Sequence, residues 1–407
     1  MGCSRCHTEV PPASHYCYRC GGDVMGSDAT RRRSYAARPD QAVTTFAPVG
    51  TIMPKGIVGH PSTYQFVLVA ALLIMVVSAA LGAAPLALSV AAFAVPLVYI
   101  VYLYDVNMWE DEPVPVVMLA FVLTFLLGAG WTVLSVMLRG NQGIVTPTLE
   151  GSVLDIPGLL ITVLLVPVVG EVIRQIGPIV LASRPAFDDL MDGFTFGVIA
   201  GVAYASAETV VLYWSMLQIG FAGPNGVDSL QMIALLVLHG FCKPIVYGTA
   251  SGVAGAEFSG LGAGYDGFTS RYARGVGIAI AAVAVFSLGT FLASHVANPA
   301  TGLVLALLVG GAVLFGLTLL ARNALHTGLM EAALEAAARE GGIGAEGELQ
   351  FCAACEMPLL YQASFCSSCG LGVGAVQGTA ETPAPEKVTV EETSAPQDGP
   401  TGEQEQS

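Results

Sequence analysis

A small set of polar side chains falls inside the long apolar runs of this 407-residue chain: Glu171 and Arg174, then Glu208, then His239 and Lys243, and finally His295. An ionisable group at mid-bilayer depth costs roughly 2.5–3.5 kcal/mol on insertion scales, so such residues usually face a bundle interior and often mark function. Two imidazoles and a carboxylate are a common zinc ligand set, and a second carboxylate beside them can take a proton from bound water. On that chemistry Glu208, His239 and His295 hold a metal and Glu171 is the general base. The same residues also suit a structural or transport network of ion pairs, Glu171 with Arg174 and Glu208 with Lys243. Residue types alone leave both arrangements open.

The cysteines form a second constellation. Cys3, Cys6, Cys17 and Cys20 follow the pattern C-x2-C-x10-C-x2-C, and Cys352, Cys355, Cys366 and Cys369 repeat it. Two CxxC pairs on tight knuckles present four thiolates tetrahedrally to one zinc ion, and modules this short have too little core to fold without metal. Each end of the chain therefore reads as a structural zinc ribbon, with no open ligand position for catalysis. Their expected roles are binding a partner, holding the termini together or sensing metal. The ninth cysteine, Cys242, lies in an apolar run and reads as a small buried hydrophobe.

The elements that must position these groups are membrane helices. With 54% hydrophobic and 12% charged residues, the composition excludes an ordinary soluble domain, in which about a quarter of residues are charged. Runs long enough to cross a bilayer fall at 64–83, 85–104, 114–137, 153–182, 193–214, 229–256, 275–298 and 300–321. The expected fold is thus an all-α polytopic membrane bundle of about eight transmembrane helices, with the two small modules appended. The segment before the first run opens on Cys3 rather than on a basic and then apolar stretch, so no secretory leader is expected. With the N-terminus inside, cytoplasmic segments carry Arg31, Arg32, Arg33, Arg38, Lys55, Arg184, Arg271, Arg274, Arg322 and Arg339, against Arg139 in the outer loops. That asymmetry predicts a multi-pass cell-membrane protein with both termini cytoplasmic. Modules on the reducing side disfavour disulfides.

The domain organisation follows: a ribbon at 1–22, a linker at 23–62, the transmembrane domain at 63–325, a helical extension and linker at 326–351, a ribbon at 352–370 and an acidic tail at 371–407. The tail is Thr-, Glu-, Pro- and Gln-rich and is expected to be disordered. At 1.5 Å per residue from the cytoplasmic helix ends, Glu171 lies about 18 Å deep, Glu208 about 22 Å, His239 about 25 Å and His295 about 30 Å. Gly193, Gly197, Gly201 and Ala205 form a small-residue stripe that permits close helix contact, and Glu208 continues that face.

At these positions the sequence resembles the PrsW-type intramembrane protease family, among the glutamate and histidine membrane proteases. The resemblance rests on YLYDVNMWEDEP, GEVIRQ, DDLMDGFTFGVIAGVAYASAE, the histidine of LVLHGFCKPIVYG and SHVAN, across about residues 64–325. It implies a buried, metal-dependent site that hydrolyses peptide bonds in or near the membrane, with a membrane protein as substrate or binding partner. By the same resemblance Glu171 matches the second glutamate of a paired-glutamate motif and Arg174 its following lysine. Glu208 closes the Gly-rich helix, His239 and His295 are the two later histidines, and Asn298 stands in for an asparagine or aspartate after the second. Gly170 replaces the first glutamate of the pair, and Thr209 an asparagine. The loss at Gly170 leaves a non-catalytic membrane binding or regulatory protein as the alternative. Nucleic-acid partners are not expected, because the ribbons carry little basic surface and Arg31, Arg32 and Arg33 serve as a topology signal.

Overall fold

A computed structural model describes residues 2–24, 63–106, 113–138, 156–184, 187, 189–218, 232, 236–343 and 348–373. Most of the 23–62 linker, the acidic stretch at 107–112 and the tail beyond Val373 lie outside these residues, and so does Arg139. The described transmembrane region is helical throughout, the expected state where lipid offers backbone groups no partner.

The helices are α1 Thr63–Ala80, α2 Ala84–Val106, α3 Val114–Leu138, α4 over 156–182, α5 Leu190–Leu212, the short α6 Trp214–Gln218, α7 over 238–259, α8 Ser270–Ser294 and α9 Pro299–Ala338. Among the described residues six helical stretches are long and apolar enough to cross a membrane: Ala84–Leu103, Val114–Leu138, Pro157–Ala182, Leu190–Leu212, Ser270–Ser294 and Ala300–Gly342. The eight runs of the sequence therefore reduce to six by this measure, for two reasons. The apolar part of α1 is only Phe66–Ala79. Part of the sixth run lies outside the described residues, and α7 carries Lys243 among small residues. At 40 residues, α9 is about 60 Å long at 1.5 Å per residue, twice a bilayer core. It runs unbroken to Ala338, well past the expected span.

The core sits on α5, which is buried from Leu190 to Thr209. Its glycines explain why. A Cβ placed on Gly193, Gly197 or Gly201 would strike the backbone of Gly255, Ser251 or Tyr247 of α7 respectively. Gly248, Gly252 and Gly255 form the matching stripe, where added Cβ atoms would meet Val202, Val198 and the backbone of Gly193. Two helices thus interlock backbone to backbone, antiparallel, from Gly193 to Gly201 of α5. Further ties close the bundle: Ser206 Oγ donates to Ala92 O at 2.7 Å, and the Tyr99 and Thr249 hydroxyls are 2.8 Å apart.

A wide π turn, Ile161–Leu165, follows the first α-helical turn of α4, and another, Leu238–Cys242, opens α7; each is followed by a proline, Pro167 or Pro244. The cause is common to both. Proline lacks an N–H and its ring crowds the carbonyl four residues back, so the preceding turn loosens to an i→i+5 pattern.

Candidate functional site

On α4, Glu171, Arg174 and Gln175 share a face by their three- and four-residue spacing, and all are buried. Arg174 donates to Glu171 Oε2 through Nη2 at 2.6 Å and Nε at 3.1 Å, and Gln175 Nε2 donates to Glu171 Oε1 at 2.6 Å. Ser251 of α7 accepts from Arg174 Nε at 2.9 Å and donates to Glu171 Oε2 at 3.1 Å. Tyr272 at the start of α8 donates to Gln175 Oε1 at 3.5 Å. The guanidinium carbon lies 4.9 Å from the Tyr204 ring centre and 4.7 Å from that of Tyr247, so the aromatic faces stabilise the side of the cation turned away from Glu171. A desolvated pair depends on such contacts, and Arg174 Nη1 is the one nitrogen of that guanidinium left without a hydrogen-bond partner among the described residues.

A second polar group lies beside the first. Lys243 Nζ of α7 is 3.1 Å from Glu208 Oε2 of α5, and the same ammonium is 5.7 Å from the Tyr247 ring centre. Tyr247 therefore stands between the two cations. His239, one helical turn before Lys243, sets its ring edge-on to Tyr213 at 5.2 Å, and its buried Nδ1 has no hydrogen-bond partner among the described residues.

His295 and Asn298 behave differently. His295 caps the C-terminus of α8 and is exposed; its Nδ1 lies 2.8 Å from Phe291 O and 3.3 Å from Ser294 Oγ. Asn298 is the N-cap of α9, its Oδ1 accepting from Ala300 N at 3.0 Å and Thr301 N at 3.4 Å. Both spend their polar atoms on local helix ends. Glu208, His239 and His295 do not bring their ligand atoms within 4.8 Å of one another, the spacing at which metal-capable groups converge among the described residues. The structure thus brings together Glu171 with Arg174 and Glu208 with Lys243, but not the three-residue metal set.

Residues 112–315 match the PrsW-protease family, described as PrsW family intramembrane metalloprotease. The chain belongs to this family. No curated protein and no solved structure matches it. The PrsW match runs from the start of α3 into α9 and takes in Glu171, Arg174, Glu208, His239, His295 and Asn298, leaving α1, α2 and both cysteine modules outside. At Gly170, where the PrsW resemblance leads one to expect a glutamate, an added Cβ would come within 3.0 Å of Tyr204 Oη and 3.1 Å of Arg174 Nη1. As arranged, the membrane residues of this PrsW-family chain do not fit one shared ion, since the donor atoms are dispersed and Glu208 is engaged by Lys243.

The cysteine modules do fit a metal. Within each, the four sulfurs lie within 4.8 Å of one another. Cys3–Cys20 and Cys6–Cys17 are 3.6 and 3.5 Å apart, and Cys352–Cys369 and Cys355–Cys366 are 3.7 and 3.6 Å apart. Those separations match the edges of a thiolate tetrahedron with metal–sulfur bonds of about 2.3 Å. Each of the four knuckles closes through the same backbone bonds, as in His7 N to Cys3 O at 2.9 Å and Cys3 N to Thr8 O at 2.9 Å. The residue after the second cysteine of every CxxC has positive φ: His7 at 57°, Gly21 at 66°, Glu356 at 60° and Gly370 at 77°. Thr8 holds the Cys6 thiol down to about 6 through a side-chain hydrogen bond. At Cys20 the Gly22 N–H pulls the other way, yet burial and the neighbouring cysteines raise the thiol to about 12. Four thiols crowded together cannot all ionise without a cation, and a bound metal supplies it.

Residue types alone did not expose Gln175, Ser251, Tyr204, Tyr247 or Tyr272. Gln175 is legible in hindsight, one turn after Glu171. Ser251 is not, because only the α5–α7 interlock brings it to α4.

Proposed function

We propose that this chain hydrolyses peptide bonds of membrane-associated proteins at the buried region between Glu171 and Glu208, starting from a resting arrangement in which both carboxylates are ion-paired. The observation that carries this reading is the Glu171–Arg174 pair, fully buried in a PrsW-family core, where charge retained without a function is unfavourable. Hydrolysis adds hydroxide to the carbonyl carbon and a proton to the departing amine. A carboxylate that accepts the water proton fits Glu171 once Arg174 releases it, because Arg174, Gln175 and Ser251 occupy both of its oxygens in the resting arrangement. The π turns ahead of Pro167 and Pro244 give α4 and α7 a compliant place for that release. In each terminal module the four thiolates hold a structural zinc, which supplies fold rather than chemistry.

The topology belongs to the same proposal. With α1 and α7 counted, the bundle has eight crossings, and α7 is included because it packs backbone to backbone on α5 from Gly193 to Gly201. An even number puts both termini on one face, and the arginine distribution makes that face cytoplasmic.

A second reading is favoured by Gly170, which supplies no carboxylate beside Arg174 and Tyr204 and whose Cβ position is tight against both: a non-catalytic member that binds membrane proteins. Purified protein in detergent, incubated with a panel of membrane-anchored reporters, separates the two. The protease reading expects cleavage that disappears in Glu171→Gln and Glu208→Gln. Reporter capture without cleavage across the panel would replace it with the binding reading.

A further inference from the structure

The two cysteine modules sit at opposite ends of the sequence, yet they dock on each other about a pseudo-twofold axis. His15 N and Tyr16 N both donate to Ser367 O at 2.9 Å, while Ser364 N and Phe365 N both donate to Tyr18 O at 2.9 Å. By the cysteine alignment His15 corresponds to Ser364, Tyr16 to Phe365 and Tyr18 to Ser367, so each bond has its symmetry mate. The side chains obey the same rule. An added Cβ on Gly21 would lie 2.8 Å from the Phe365 ring, and one on Gly370 would lie 2.9 Å from the Tyr16 ring. Each module's aromatic thus covers the other's second knuckle. That contact explains why those knuckles end in glycine, while the uncovered ones end in His7 and Glu356 despite the same positive φ.

The pair rests on the core through a shared seat. Ala13 and Met357 pack with Met330 and Leu334 on the extension of α9, and Leu261 from the loop after α7 joins them. Glu331 accepts from Gly262 N at 2.8 Å, and Arg271 reaches Glu356 at 3.6 Å.

We propose that the modules are the halves of one binuclear metal clasp, which closes on the α9 extension only when both halves hold metal. The proposal rests on the zinc reading of each module. Neither half has a core beyond a few side chains, Val10 with Cys3 and Cys17 in one and Leu359 with Cys352 and Cys366 in the other, so each depends on its metal for shape. The carbonyls of Tyr18 and Ser367 lie between the first and second cysteine of the later CxxC, held in place by that knuckle. Loss of one ion withdraws the carbonyl and ring that the other half docks against, and the second ion then becomes labile. The closed clasp also holds the two modules together on the α9 extension.

The test counts zinc in full-length detergent-purified protein and follows its release to a competing chelator. Wild type is expected to carry about two ions, one per four-thiolate site. In Cys352→Ser/Cys355→Ser, and equally in Cys3→Ser/Cys6→Ser, the remaining ion is expected to leave about tenfold faster or more, a loss of about 1.4 kcal/mol or more if it reflects affinity. The double variant Tyr16→Ala/Phe365→Ala keeps every ligand and is expected to release both ions faster together. Wild-type release rates in that variant, or a firmly held ion in the cysteine variants, would overturn the clasp while leaving zinc in each module. Wild type with no cysteine-bound metal would remove the zinc reading itself.

Discussion

Arg174 grips Glu171 through two hydrogen bonds to a single carboxylate oxygen, 2.6 and 3.1 Å long, with neither side chain exposed. Gln175 takes the other oxygen and Ser251 bridges acid and base, so the acid is fully committed in this arrangement. Any chemistry at Glu171 begins by loosening that grip.

Removing one partner strands the other. Arg174→Ala leaves a buried carboxylate against Ser251 and is expected to destabilise the bundle by about 3–5 kcal/mol. The double change Arg174→Met/Glu171→Leu, which removes both charges, is expected to fall nearer wild type. Denaturation in detergent, read by helical circular dichroism, checks both. Equal losses in the single and double variants would contradict the assignment of the loss to uncompensated charge.

The glycine interlock gives a contrast within one residue type. Gly197→Val must push α7 away at Ser251 and Gly252, at a cost of about 1–3 kcal/mol or more. On α8, Gly277 has nothing within 4 Å of an added Cβ, so Gly277→Ala is expected to be neutral or to gain up to about 1 kcal/mol. Thermal stability measured side by side decides this, and similar changes in the two would count against close α5–α7 packing.

Gly170 offers a functional probe. Its Cβ position is tight against Tyr204 and Arg174, so Gly170→Ala is expected to lose about 1–3 kcal/mol. Gly170→Glu adds the missing carboxylate; paired with Tyr204→Phe to relieve the hydroxyl contact, it is expected to raise reporter cleavage above wild type. Unchanged turnover in a folded double variant would show that the absent glutamate does not limit activity.

The modules should release metal in acid. Thiols bind metal as thiolates, so protons compete, and zinc retention falls as pH falls. The hydrogen bond that holds Cys6 down to about 6 favours its thiolate above that pH and stops doing so below it. Thr8→Val raises the Cys6 thiol and is expected to move zinc loss to higher pH. Zinc counted after dialysis across pH 4 to 8 reads the shift; an unmoved profile would rule out a role for Thr8.

The sequence by itself determined whatever is local: the two C-x2-C-x10-C-x2-C modules, the apolar runs that become helices, and the Glu171–Arg174 pair, whose three-residue spacing places both on one helix face. Such features need only neighbours a turn or a knuckle away. The tertiary structure decided what depends on helix register. Interlocking glycines bring Ser251 to Glu171 and Lys243 to Glu208, whereas His295 caps its own helix in the open and shares no metal-capable cluster with His239. The docking of Tyr16 on Gly370 joins residues far apart in sequence, and no periodicity along the sequence encodes a contact that exists only once the folded chain has brought the two modules together.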